Sequence, residues 1–262
     1  MKKIFLIFLA YVFTVINVNA QDLRFVQVTD LLYNPNNQTS ISEFDELIQK
    51  INNEKNVEFV IFTGNNISKP NQEYLAKFVN TANKLKRPYY VTIGNKDVSK
   101  QKDFGKNEYF KYLKKKVSAH KKIKTPNYSF EKKKVVFIVP EGAKEVIPGT
   151  YGYYRPETLS WLNKTLAQCK HKHKKAVIIQ HFPVVMPEDK ELLNTYKPEK
   201  YLEITDRYSI ILAVISGHFN SAKEIERNNV MHISTPNAPK YKIIDVLEYD
   251  TDNPVIWTTL SF

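Results

Sequence analysis

Imidazole, carboxylate and carboxamide side chains bind ions and move protons, and in this chain they recur in five short polar motifs. The motifs are Thr29-Asp30-Leu31-Leu32, Thr63-Gly64-Asn65-Asn66, Gly94-Asn95-Lys96-Asp97, Gln180-His181-Phe182-Pro183 and Ser216-Gly217-His218-Phe219-Asn220. Each falls at the end of an apolar run that reads as a strand. In open α/β sheets ligands gather outside the carboxyl ends of strands, where loops converge while the core stays dry. A single polar turn after a strand is ordinary turn chemistry. Five in series point to one cleft.

The elements that must position these groups alternate along the chain. Leu23 to Thr29 and Val57 to Thr63 are short apolar runs that predict buried strands. Between them a helix is expected from Ser42, with Phe44, Leu47, Ile48 and Ile51 at spacings of three and four and Asp45 and Glu46 in its first turn. A second helix runs through Tyr74, Leu75, Phe78 and Val79, and a strand from Tyr89 to Ile93 stops at Gly94. Residues 98–126 are basic and aromatic without a sheet pattern, and read as an insertion with one helix around Glu108 to Val117. A hairpin (Tyr128 to Phe130, Val135 to Val139), a helix from Pro156 to about Gln168, and strands Ala176 to Gln180 and Ile210 to Ser216 follow. The tail offers Val230 to Ser234, Tyr241 to Tyr249 and Val255 to Phe262 as strands. Helices between early strands and hairpins late imply mixed sheets with helices outside, in one α/β domain over residues 21–262.

The order of the motifs resembles the signature of the calcineurin-like metallophosphoesterase family: Asp-x-His, Gly-Asp, Gly-Asn-His-Asp/Glu, a lone His, then Gly-His-x-His. The resemblance runs from about residue 23 to 247 and includes the Trp161-Leu162 helix ahead of the lone His. It implies a four-layer α/β/β/α sandwich with two mixed β-sheets. It also implies two adjacent divalent ions, bridged by one aspartate and by a hydroxide that attacks phosphorus.

Carried over position by position, the match is uneven. Asp30 keeps the first ligand, but Leu32 stands where the histidine of Asp-x-His belongs. Asn65 replaces the bridging aspartate. Asn95 is kept, while Lys96 replaces the histidine that would protonate the leaving group; Asp97, the partner of that histidine, remains. His181 and His218 are kept and Asn220 replaces the final histidine. A first cage of Asp30, Leu32, Asn65 and Asn220 lacks an imidazole and a carboxylate, and amide oxygens are weak substitutes. A second of Asn65, Asn95, His181 and His218 holds no anion, so the expected cofactor is one weakly bound divalent transition metal (Mn, Fe or Zn) or none. Lys96 is expected to stand in for the missing charge, paired with Asp30 or Asp97, so that Lys96, His181 and His218 face an anionic ligand. A lysine at its ordinary pKa is a poor acid near neutral pH, so catalysis through Lys96 and Asp97 is expected to be impaired.

Lys2 and Lys3, the apolar stretch from Ile4 to Ile16 and Val18-Asn19-Ala20 read as a signal peptide over residues 1–20, which predicts export and cleavage near Ala20. Cys169 is the one cysteine, which excludes an intramolecular disulfide. The net charge is +12, concentrated in residues 111–124 and 170–175. Such clusters are ordinarily solvated faces, and they also suit envelope polyanions or lipid surfaces. Nucleic acid is not the expected partner, because the aromatics Tyr109, Phe110 and Tyr112 sit at a helical spacing that suits burial. Three readings remain: a ligand-binding descendant that holds phosphate esters or other anions, an impaired single-metal phosphoesterase, and a non-catalytic interaction protein.

Overall fold

In the computed structural model, which describes residues 23–147, 149–185, 195–247 and 255–261, strands and helices alternate through most of the chain. The expected signal peptide lies outside the described residues. The elements are β1 (Leu23–Val28), α1 (Gln38–Asn53), β2 (Val57–Thr63), α2 (Gln72–Ala82), β3 (Tyr89–Thr92), α3 (Lys106–Lys116), β4 (Tyr128–Lys132) and β5 (Val135–Val139). They continue with α4 (Pro156–His171), β6 (Lys175–Ile179), α5 (Glu199–Thr205), β7 (Ile211–Ser216), β8 (Lys223–Arg227), β9 (Val230–Ser234), β10 (Tyr241–Leu247) and β11 (Val255–Ser261).

These strands form two mixed sheets, ordered β11-β10-β1-β2-β3 and β4-β5-β6-β7-β9-β8. β1, β2 and β3 run parallel, as do β5, β6, β7 and β9, while β10, β11, β4 and β8 are the antiparallel additions. Successive residues of a strand point to opposite faces, and this sorts the layers. Phe137, Val177, Ile179, Ala213 and Ile215 face the other sheet, where Phe137 meets Phe25 and Phe59 at 5.3 and 4.9 Å between ring centroids. Ile138, Ala176, Ile178 and Val214 face the opposite way, onto Leu162, Leu166 and Cys169 of α4 and Tyr201 of α5. On the first sheet, Phe62 packs outward against Phe44 of α1 and Phe78 of α2. The order of layers is helix, sheet, sheet, helix.

Local differences from the sequence expectations have local causes. α1 begins at Gln38 rather than Ser42, because the Asn37 side chain caps it by accepting the Ser40 backbone N–H at 3.0 Å. Asp45 and Glu46 therefore stand beyond its first turn. β8, with the sequence KEIER, escaped notice because it is a charged edge strand that buries little and lacks an apolar pattern. α5 is too short, at seven residues, to show a period.

Residues 98–126 are integrated into the fold rather than appended to it. Tyr109, Phe110, Leu113 and Val117 are buried in the main core, so Tyr109 and Phe110 are not free to stack on bases. Lys111, Lys114, Lys115 and Lys116 form the solvated face of α3. A buried ion pair fastens the helix to the loop after β5: Lys106 Nζ lies 2.5 Å from Glu141 Oε2, each side chain 8% exposed. His120 closes the segment, fully buried, its Nε2 accepting the Val91 backbone N–H at 2.9 Å.

Two predictions follow from these contacts. Lys106→Met strands the Glu141 carboxylate and should cost about 3 kcal/mol in urea unfolding, whereas Lys106→Met with Glu141→Leu should regain part of that loss. Burial lowers the His120 pKa from 6.5 to about 3. Between those values the unfolded chain binds a proton that the fold refuses, so stability falls as pH falls. His120→Gln should flatten the dependence of unfolding free energy on pH between 6 and 4 by about 1.4 kcal/mol per pH unit.

Candidate functional site

All five motifs lie at the carboxyl ends of parallel strands, three in the first sheet and two in the second, where the backbone turns sharply. Asp30, Leu32, Asn65, His218 and Asn220 have φ of 50°, 49°, 52°, 66° and 57°. The left-handed region is sparsely populated by residues other than glycine, and its clustering at strand ends marks a site built for geometry rather than ease. Gly64, at φ +99°, has a second constraint: a Cβ there would come within 2.6 Å of His181 Nδ1. The turns are tied in register, with Asp30 N–H donating to Gly64 O and Leu32 N–H to Asn65 O at 3.0 and 2.8 Å.

Asp30, His181 and His218 are buried together, each offering a ligand atom, all within 4.8 Å of one another. The residual cage therefore contains a carboxylate beside both imidazoles, which corrects the grouping expected from sequence, where the two histidines had only amides for company. The Asp30 carboxylate is nevertheless heavily engaged. Oδ1 accepts the Asn65 side-chain N–H at 2.8 Å, and Oδ2 accepts the Thr29 hydroxyl and the His218 backbone N–H, both at 2.8 Å.

Asn65 thus points an N–H donor at Asp30 from the position of the bridging aspartate. Its Oδ1 accepts the Lys96 backbone N–H at 2.9 Å, which fixes the orientation of the amide. A carboxylate in this place would need a cation between itself and Asp30; the amide needs none.

The histidine tautomers follow from their neighbours. His181 Nδ1 lies 2.7 Å from the Thr63 carbonyl, which can only accept, so the proton is on Nδ1 and the lone pair on Nε2. That Nε2 and Asn95 Oδ1 are buried acceptors without a hydrogen-bond partner among the described residues. His218 Nε2 lies 2.5 Å from the Thr150 carbonyl and donates to it. Burial lowers the pKa of both rings, that of His218 to about 4 with the neighbouring His181 as the next cause. Both imidazoles are neutral near pH 7, the state that ligates metals, and they supply no positive charge to an anion.

Lys96 is exposed, and its ammonium pairs with neither Asp30 nor Asp97 among the described residues. The expected ion pair is absent because both carboxylates are already satisfied. Asp97 is fully buried. It accepts the backbone N–H groups of Asn66, Ile67 and Gly94 at 2.8, 3.0 and 2.8 Å, and the Asn66 side-chain N–H at 3.1 Å. Burial pushes its pKa up to about 7 against those donors. It positions the second and third motifs against each other. Asn220, read as the last ligand, is exposed.

Four contributors were not singled out from sequence. The Thr29 hydroxyl and Thr63 carbonyl lie within the quoted motifs. Thr150, in the unpatterned loop after β5, and the Asn66–Tyr109 contact of 3.1 Å that supports Asp97 depend on tertiary approach, and no local signal betrays them.

The donor set fits one cation better than two. His181 Nε2 is an orphaned acceptor beside Asp30 and His218, and Asn95 Oδ1, on the turn after β3, is another; carboxylate, imidazole and amide together are a hard-and-borderline set that suits one divalent ion. For a second ion the chain offers Leu32, which has no ligand atom, the exposed Asn220, and an Asn65 amide whose N–H is turned to Asp30.

No curated protein matches the chain significantly by sequence. A dimetal phosphatase from Danio rerio superposes with a TM-score of 0.68 at 13% identity, covering 90% of this chain and 98% of its own. GAP50, the anchor in the inner membrane complex of Plasmodium, superposes at 0.57 and 14% identity, covering 91% and 88%. The purple acid phosphatase PPD1 from yellow lupin seeds gives 0.58 and 12%, covering 88% and 50%. These likenesses establish the fold. The calcineurin-like phosphoesterase family model matches residues 23–221, the stretch that carries all five motifs, and the chain belongs to that family.

Proposed function

We propose that this protein binds phosphate esters or related anions in the inherited cleft, with phosphoester hydrolysis lost or weak. One observation carries the reading: the Asn65 amide donates to Asp30 Oδ1 at 2.8 Å, filling the bridging position with a donor. A dinuclear centre needs an anionic oxygen there to hold two cations close together, and also to place the attacking oxygen. Leu32 and Asn220 remove further donors from the same side. Lys96, exposed at the rim, supplies the positive charge that phosphate requires and that the neutral imidazoles do not.

A second reading, an impaired single-metal phosphoesterase, is favoured by the two orphaned acceptors. Asp30, Asn95, His181 and His218 would hold one divalent ion, weakly, since three of the four groups are neutral. When bound, such an ion acidifies water and offsets phosphate charge. Export with cleavage near Ala20 is part of the same proposal, supported by the basic start and the apolar stretch after it. Fold alone does not choose between the readings, because one architecture hosts many functions.

Three measurements test this. Metal analysis combined with mono- and diester assays in manganese should find at most one ion per chain and turnover absent or barely above background. Stoichiometric metal with turnover abolished by His218→Ala would establish the second reading. Phosphate binding should weaken by about tenfold in Lys96→Ala, the loss of one point-charge contact; unchanged affinity would refute its role. Asn65→Asp sets two carboxylates face to face, so its melting temperature should fall without metal and rise with added manganese, while that of the unaltered protein barely responds.

A further inference from the structure

We propose that the loop between β5 and α4, with Tyr196 beside it, is the surface by which the folded domain docks onto an anionic lipid bilayer. Among the described residues the exposed large apolar side chains are Val146, Ile147, Tyr151, Tyr153 and Tyr196, and all but Tyr196 lie on this loop. Ile147 is the most exposed at 74%. The Tyr196 backbone N–H donates to Gly152 O at 2.8 Å, and this holds the Tyr196 ring 5.7 and 6.2 Å from those of Tyr151 and Tyr153. Folded proteins do not ordinarily collect their exposed apolar groups in one place unless something covers them.

Charge selects what covers this patch. Lys144 Nζ sits 3.4 Å above the Tyr151 ring and Lys197 Nζ 5.3 Å from that of Tyr196. Glu145, the one carboxylate between residues 144 and 153, is turned inward and accepts the Lys106 backbone N–H. That stretch of the loop therefore offers aliphatic tips, amphipathic rings and ammonium groups without an exposed anion. A bilayer interface accepts this combination in layers: aliphatic tips at the acyl boundary, tyrosine rings among the headgroups, lysines at the phosphates. A second copy of the same patch would oppose lysine to lysine. A soluble polyanion would engage the lysines and leave Val146 and Ile147 in water.

Docking also bears on the cleft, because Thr150, between Ile147 and Tyr151, carries the carbonyl that accepts from His218. The inference does not depend on the phosphate-ester reading.

The test is co-sedimentation of the chain from Gln21 onward, which contains every described element, with vesicles of phosphatidylcholine alone or mixed with phosphatidylglycerol. The protein should pellet with the anionic vesicles. Ile147→Ser with Tyr151→Ser should weaken partitioning by at least about tenfold while leaving the urea midpoint unchanged, since both side chains are exposed. Three results would each overturn the proposal: no pelleting, equal pelleting of the variant, or self-association that the same substitutions abolish.

Discussion

The hydrogen bond from the Asn65 amide to the Asp30 carboxylate is the contact on which the arrangement of this cleft depends. It joins the ends of β1 and β2, and Asp30 extends the connection to the second sheet by accepting the His218 backbone N–H. Other polar contacts run along the same seam. Gln27 donates to Ser216 O at 3.0 Å and accepts from the Thr235 hydroxyl, and His181 reaches across to Thr63 O. Bonds to a charged acceptor are worth about 1.5–3 kcal/mol each when buried, and removing a partner costs more than the bond itself contributes. In a cleft with a carboxylate at position 65, the same seam would carry mutual repulsion that only cations relieve. With an amide there, the two sheets close on each other through neutral donors.

Electrostatics then divides the cleft by depth. Its floor holds acceptors: Asp30, the lone pair of His181 Nε2 and Asn95 Oδ1. Its rim holds the Lys96 ammonium. Neutral imidazoles cannot attract an anion by charge, and a cation at the floor meets only one formal negative. The floor accordingly fits one modestly held ion better than two. Asp97 serves neither directly. Its hydrogen bonds to Asn66, Ile67 and Gly94 keep the second and third motifs in register.

The backbone turn at the first motif holds its shape without a ligating side chain. Leu32 sits at φ 49°, a conformation that costs an ordinary residue about 1–2 kcal/mol, with no polar group to repay the strain through ligation. Its N–H still bonds Asn65 O, so the turn is retained by the main chain. Such turns are over-determined by the sheets they end, which is why a leucine can occupy a place shaped for another residue.

How much of this was legible beforehand divides along physical lines. The alternation of apolar residues is a local property, and it defined most strands, the helix faces and the layered architecture; the five polar motifs at strand ends located the cleft and the losses at positions 32, 65, 96 and 220. What escaped were elements with weak local patterns, such as the charged edge strand β8 and the short α5, and a cap, Asn37, that moved a helix start by one turn. The partners of the site residues were decided only by tertiary structure. Whether Lys96 pairs with a carboxylate depends on what else reaches that carboxylate, and Asp30 and Asp97 are saturated by groups from distant parts of the chain. The gathering of Tyr151, Tyr153 and Tyr196 beside the cleft is likewise set by two loops meeting. Residue type and spacing report the hydrogen-bonding capacity of each group; only the folded chain decides how that capacity is spent, because every donor is claimed by whichever acceptor the packing brings nearest.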